Sequence, residues 1–345
     1  MTIDSNISNS PEPSFEDVLE ILPIPGEPLP LDYLSRLSDI GVEQLDEIRK
    51  IWTDIPDQRR LEIIREVELV NKSNYLLSFR TLCQFVMNDN FPRVREVAVR
   101  TLWEYDDKSL IPKFLNMLEK DPDVDVRAAV IAALGKYVYL GEIDEIPPET
   151  LNLITVQLRD LAIGTGATIV KRRALESLGY SGNSAVPGLI DEAYLSGKED
   201  YICSALLAMG RSANPRWTSI VLKELTSDSP EVCLEAIKAA GELELQEGTE
   251  TLINFLDHDD SDIRLAAIWA LSQIGGKGVA GVLEEQLEYT EDDIEAAFIA
   301  EALESLAFTE DIELLTLFEL VDDDSDMEQL NQDLLDPTAG EDSIP

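Results

Sequence analysis

Seven stretches of this chain begin with the same short pattern about 31 residues apart, and that spacing restricts the fold more than any other feature. Each opens on an aliphatic residue, followed in four of the seven by Arg or Lys: Val94-Arg95, Val126-Arg127, Val170-Lys171, Ile202-Cys203, Val232-Cys233, Ile263-Arg264 and Ile294-Glu295. Successive openings lie 32, 44, 32, 30, 31 and 31 residues apart. The fourth and fifth residues after each opening are apolar throughout, from Ala98 and Val99 to Phe298 and Ile299, and the eighth is apolar or Gly. Those positions share one broad face of an α-helix, which predicts seven inner helices packed against partners on several sides. An outer helix is predicted before each of the later six, over 110–119, 151–161, 186–195, 217–225, 250–256 and 279–287. Helical periodicity repeated at this interval predicts an α-solenoid. The single long interval is accounted for by Tyr137 to Thr150, where Pro147-Pro148 cannot continue a helix, and Gly135 is placed to cap the helix before it.

The segments VREVAVRTLW (Val94 to Trp103), VRAAVIAALG (Val126 to Gly135) and IRLAAIWALS (Ile263 to Ser272) resemble the HEAT-repeat superfamily, especially its bacterial PBS-lyase HEAT-like variety, over roughly residues 75 to 307. The resemblance implies an all-α fold, a right-handed α-solenoid of about seven HEAT-like helical hairpins with a helical N-terminal cap. It also implies that the basic column Arg95, Arg127, Lys171 and Arg264 pairs with acids of neighbouring repeats. Cys203, Cys233 and Glu295 interrupt that column, so the ladder should weaken in the later units.

The expected organisation is a Pro-rich N-terminal segment over 1–30, a helical cap over 31–74, the repeats over 75–321 and an acidic tail over 322–345. Residues 1–14 and the tail carry too little apolar side chain to predict an ordered core. A short helix over 15–22 precedes LPIPGEPLPL (Leu22 to Leu31), whose four prolines predict a stiff connector lying along a helical body. The cap should hold helices over 31–37, 42–52 and 56–70, the third N-capped by Asp54. It lacks the Val-Arg opening. A last amphipathic helix is predicted over 311–321.

The formal net charge is −42, and residues 278–345 carry 22 Asp or Glu with no Lys or Arg. Phosphate affinity comes from Lys and Arg, so this balance speaks against nucleic acid and favours basic partners or simple solubility. Sixteen of the 27 basic residues fall between Arg36 and Lys136. No apolar run reaches the roughly 18 residues of a membrane span, and the first 35 residues hold no Lys or Arg for a targeting signal, so a cytoplasmic location is expected. Cys83, Cys203 and Cys233 form no CxxC pair. Helices in adjacent repeats lie about 8–10 Å apart, beyond disulfide reach, so free buried thiols are expected.

Catalytic and metal chemistry find few candidates. HEAT-like deoxyhypusine hydroxylases hold two irons through several His–Glu pairs, whereas this chain has one histidine, His258, placed in an inter-repeat turn. The acidic runs 257–262 and 322–333 lack the glycine that a calcium loop needs for its sharp turn. No cofactor and no metal are therefore expected. The remaining feature is a surface. Positions 2, 6 and 9 of each inner helix should face the concave groove, and many are small or apolar where a solvated face would carry charge. Arg100, Trp103, Arg211, Leu234, Lys238, Leu265 and Trp269 are the contact candidates, Trp and Arg being frequent interface anchors. The expected function is non-catalytic capture of a protein partner, basic or amphipathic, with a bilin-lyase-like accessory subunit or an acidic chaperone for a basic client as alternatives.

Overall fold

A computed structural model describes residues 12–321 except 27 and 277, with side chains to 308. Among these residues every regular element is a helix. The chain separates between Ala213 and Asn214 into two compact units.

The first unit contains α1 (Phe15–Ile21), α2 (Leu31–Ser35), α3 (Val42–Trp52), α4 (Asp57–Ser73), α5 (Arg80–Val86), α6 (Pro92–Leu102), α7 (Ile111–Lys120), α8 (Val124–Glu142), α9 (Pro148–Ile163), α10 (Thr168–Leu178), α11 (Val186–Leu195) and α12 (Glu199–Arg211). Helices α4, α6, α8, α10 and α12 stack side by side as the inner layer, while α5, α7, α9 and α11 each pack on the inner helix that follows. The second unit repeats the plan. Its inner helices are α14 (Pro230–Glu242), α16 (Ser261–Ile274) and α18 (Asp293–Val321), and its outer ones are α13 (Thr218–Glu224), α15 (Thr249–Asn254) and α17 (Val279–Tyr289).

Local chemistry sets the helix starts. The Asp123 carboxylate accepts from the N–H groups of Asp125 and Val126 at 2.9 and 3.1 Å, satisfying two donors that the helix cannot. Ser229 and Asp260 serve α14 and α16 in the same way, and Pro92 and Pro230 stand in first turns where no donor is needed. From these starts the apolar face is buried as the periodicity requires: Val94, Ala98, Val99 and Leu102 in α6, and Val126, Val130, Ile131 and Leu134 in α8.

Several expectations are corrected. Gly135 caps nothing: α8 runs through it to Glu142. A Cβ there would lie 2.9 Å from Ser177 Oγ, so Gly135 instead lets α8 and α10 approach. Part of the long interval is therefore extra turns of α8, and Pro148 begins α9. Asp54 does not cap α4, which starts at Asp57 without a side-chain cap because Pro56 holds the preceding backbone extended. Helix α18 is continuous from Asp293 to Val321, so no separate helix begins at residue 311. Its register also differs. Ile294 is exposed, whereas Glu295, Ile299, Ala302 and Leu306 are buried, so the inward face begins one residue later than the aliphatic pattern indicates.

The N-terminal block supplies a further inner helix. In α4, Arg59 and Arg60 stand where other units have Val-Arg, and Ile63, Ile64 and Val67 follow at the fourth, fifth and eighth positions, all buried. Arg59 Nε donates to the Leu22 carbonyl at 3.1 Å, and the Leu29 N–H donates to Glu66 at 2.9 Å, so the Pro-rich connector lies along this helix. Residues 1–11 and 322–345, where the ends of the two terminal segments were expected, lie outside the described residues.

Two glycine substitutions separate seam from surface. A Cβ at Gly179 would stand 2.8 Å from Ala208 Cα and 2.9 Å from its carbonyl oxygen, backbone atoms that cannot yield cheaply, whereas Gly188 in α11 faces open space. Gly179→Ala is expected to cost at least ~1–3 kcal/mol, as overpacking does, and Gly188→Ala to gain about 0.5–1 kcal/mol of helix propensity. Urea unfolding of both variants checks the contrast.

Candidate functional site

The basic column is an ion-pair ladder with a defined geometry. Each arginine in it bonds its own preceding turn: Arg60 to the Ile55 carbonyl at 2.5 Å, Arg95 to that of Asp89 at 2.8 Å, Arg127 to that of Asp121 at 2.7 Å, and Arg264 to that of His258 at 2.9 Å. Three of these guanidiniums then reach the next repeat. Arg60 pairs with Asp89 at 2.9 Å, Arg95 bidentately with Asp121 at 2.8 and 2.7 Å, and Arg264 with Glu295 at 2.7 Å. Glu295, expected only as an interruption, is thus the acid that receives Arg264. His258 holds the turn: its Nδ1 accepts the Asp260 N–H at 3.0 Å.

The accessible stripe of the inner helices is displaced from the expected positions. In α8 it comprises Ala129, Ala132 and Lys136, positions 3, 6 and 10 after the opening, with the buried Ala133 at position 7 beneath them. Positions 2 and 9, Ala128 and Gly135, are buried against neighbouring helices. Gly179, Ser204 and Ala208 are buried in the same way. Many of the small residues read as groove lining are therefore seam residues, selected by close helix approach.

The stripe of the first unit opens into a depression of ≈ 290 Å³ lined by Glu68, Lys72, Arg100, Trp103, Glu104, the three alanines, Lys136, Tyr180 and Arg211. Of the seven candidates it brings together Arg100, Trp103 and Arg211. Trp103 is 44% exposed, Lys136 Nζ lies 5.4 Å from its ring centre, and the Arg211 guanidinium lies 4.9 Å over Tyr180. Arg100 is fixed by Glu68 through two 3.0 Å bonds and by Glu96 at 2.7 Å. Burial raises the Glu68 pKa, but the hydrogen bonds and charge of Arg100, with Lys72, outweigh it and hold the carboxyl below its ordinary range. Four cations, Lys72, Arg100, Lys136 and Arg211, outnumber the two carboxylates of Glu68 and Glu104 in this lining, on a chain that is otherwise strongly negative.

The second unit carries Trp269 half-buried, its ring 2.7 Å from where a Cβ on Gly241 would stand, beside a depression of ≈ 170 Å³ that includes Phe298, Glu301, Ala302 and Ser305. Counted from Glu295 those four occupy positions 3, 6, 7 and 10, the stripe seen in α8. Leu234, Lys238 and Leu265 are half-buried and line neither depression, and Lys238 is paired with Glu235 at 2.8 Å. Sequence reasoning missed Lys136 and Tyr180, both the tenth residue after an opening. A helical stripe drawn one position later would have found them.

The three cysteines form no disulfide, and burial pushes the thiols of Cys83 and Cys233 above their ordinary range. Among the described residues no three His, Cys, Asp or Glu converge as a metal would require. No helix among them is long and apolar enough to cross a membrane.

Stacked helical hairpins with ladder-fixed turns define a helical-repeat protein of the α-solenoid class. A family model for HEAT repeats matches residues 79–160 and 218–304, and the chain belongs to the HEAT-repeat superfamily. No curated protein matches it. Similar solved structures include the Escherichia coli protein YibA, at 18% identity over 82% of this chain and 98% of that one with a TM-score of 0.41. Human deoxyhypusine hydroxylase in complex with glycerol is 16% identical over 75% and 95%, TM-score 0.33. A designed armadillo repeat protein in complex with a (KR)4 peptide is 19% identical over 57% and 99%, TM-score 0.33. At these values none of the three carries an argument about activity or ligand.

Two outcomes test the electrostatics. Arg95→Leu leaves Asp121 buried without its partner and should cost about 3–5 kcal/mol in urea unfolding, while Arg95→Leu/Asp121→Leu recovers most of that. Because the Glu68 pKa is depressed on folding, its stabilising contribution is complete above the unfolded value of about 4.3 and is lost as pH falls through the folded value. The stability gap between wild type and Glu68→Gln should therefore be constant at neutral pH and close below about pH 4.

Proposed function

We propose that this chain is a non-catalytic interaction protein that seats an amphipathic polypeptide segment on the inner-helix face of its first unit. One observation carries the reading: an exposed Trp103 and a half-buried Tyr180, each with a cation against its ring, line one depression with three alanines. Aromatic and arginine side chains held in place before binding lose little conformational freedom on contact, which is why such residues dominate interface energetics. The alanine floor accepts the apolar side of a segment, and the cations and carboxylates of the rim meet its polar side. Location in the cytoplasm fits this reading and belongs to the same proposal.

Affinity capture from a lysate of the source organism tests it, comparing wild type with Trp103→Ala/Arg211→Ala. Trp103 is exposed, so its removal should leave the melting temperature within a few degrees. One dominant partner lost in the double variant is the expected result. Diffuse basic proteins released by salt from both forms equally would defeat the assignment of the site. Trp269→Ala, by contrast, removes a ring packed on Gly241 and should lower stability by more than ~1 kcal/mol.

A further inference from the structure

The ladder breaks within the first unit, and the break is a cavity. In the intact rungs Arg60 and Arg95 find their carboxylates at Asp89 and Asp121, each five residues before the next opening. At the two following rungs the corresponding residues are Thr165 and Gly197, which bring no carboxylate to Arg127 and Lys171. Lys171 makes no ion pair among the described residues, and Lys198, the residue after Gly197, makes none either, its ammonium lying 5.6 Å from the Tyr201 ring centre. Both lysines line a depression of ≈ 260 Å³, with Ile163, Leu175, Leu189 and Ala193 as apolar wall and Glu192 as the single acid. In the intact rungs the same column position is satisfied by a carboxylate from the adjoining repeat; here it is open to a carboxylate from outside.

We infer that this depression is a docking site for an acidic–aliphatic peptide segment of a partner protein, whose Asp or Glu side chain takes the place of the absent rung between Lys171 and Lys198. Charge complementarity selects the occupant: two ammonium groups against one carboxylate in the lining, with apolar surface to receive a flanking aliphatic side chain. The chain's overall negative charge opposes approach only weakly, because exposed charges beyond the Debye length of about 8 Å at physiological salt are screened. The site is separate from the one around Trp103, and neither requires the other.

Fluorescence anisotropy of the full chain with a labelled, end-capped peptide of alternating leucine and glutamate tests the inference at about 150 mM salt. Wild type should bind, and Lys171→Gln/Lys198→Gln should weaken binding by about tenfold or more, as should replacing the peptide's glutamates by glutamine. Trp103→Ala should change nothing, which separates this site from the proposed partner face. Circular dichroism melting of the double variant should match wild type, since neither lysine is buried. Absence of binding by wild type, equal binding by the double variant or by the glutamine peptide, or displacement by equimolar inorganic phosphate would each overturn it.

Discussion

Close approach between successive inner helices is the constraint from which the rest of this structure follows. An inner helix must bury one side against its own outer helix and two more against the inner helices before and after it. Three of the seams admit only a small residue at their closest point: Gly135 against Ser177, Gly179 against Ala208, Gly241 against Ala270. Bringing backbones together in this way stacks the turns at one edge, and the stacked turns in turn hold arginines within reach of both their own carbonyls and the next repeat's acids. The ladder is thus a product of the seam spacing. It adds direction and register to an association that apolar burial alone would leave free to slide.

Much of this was legible in the sequence because repetition averages out local ambiguity. An aliphatic residue at one position is weak information, but seven at fixed spacing are strong, and they marked the inner helices of both units. What escaped were the places where one residue had been exchanged for another that performs the same task differently. Arg59 replaces the usual opening valine, and so α4 went unrecognised as an inner helix although Ile63, Ile64 and Val67 keep the pattern. Glu295 occupies an inward position because Arg264 neutralises it there. No hydropathy rule admits a buried glutamate without knowing what stands opposite, and the aliphatic Ile294 beside it drew the register one residue too early.

The surface was less legible than the core for a related reason. Alanine and glycine on an inner helix signify either an open floor or a tight seam, and composition does not distinguish them; only the rotation of the helix about its axis does. One residue is about 100° of that rotation. Ala132 is exposed in the depression, whereas Ala128, four residues earlier and one turn away, is buried. Trp103 and Trp269 show the same divergence between large residues: the first stands free at a rim, the second leans on Gly241.

The exchange at Arg59 also changes the outer side of the first inner helix. The other inner helices of the first unit open on an aliphatic residue, Val94, Val126, Val170 or Ile202, that one more helix of the same kind can cover. At α4 the equivalent position presents a guanidinium already committed to the Leu22 carbonyl, with the proline-rich strand drawn across it. A repeat array whose first face remained apolar would accept the last face of another copy, and such head-to-tail contacts do not close into a ring unless the rotation happens to permit it. The arginine and its strap set a committed polar group where the other inner helices of this unit present an aliphatic side chain.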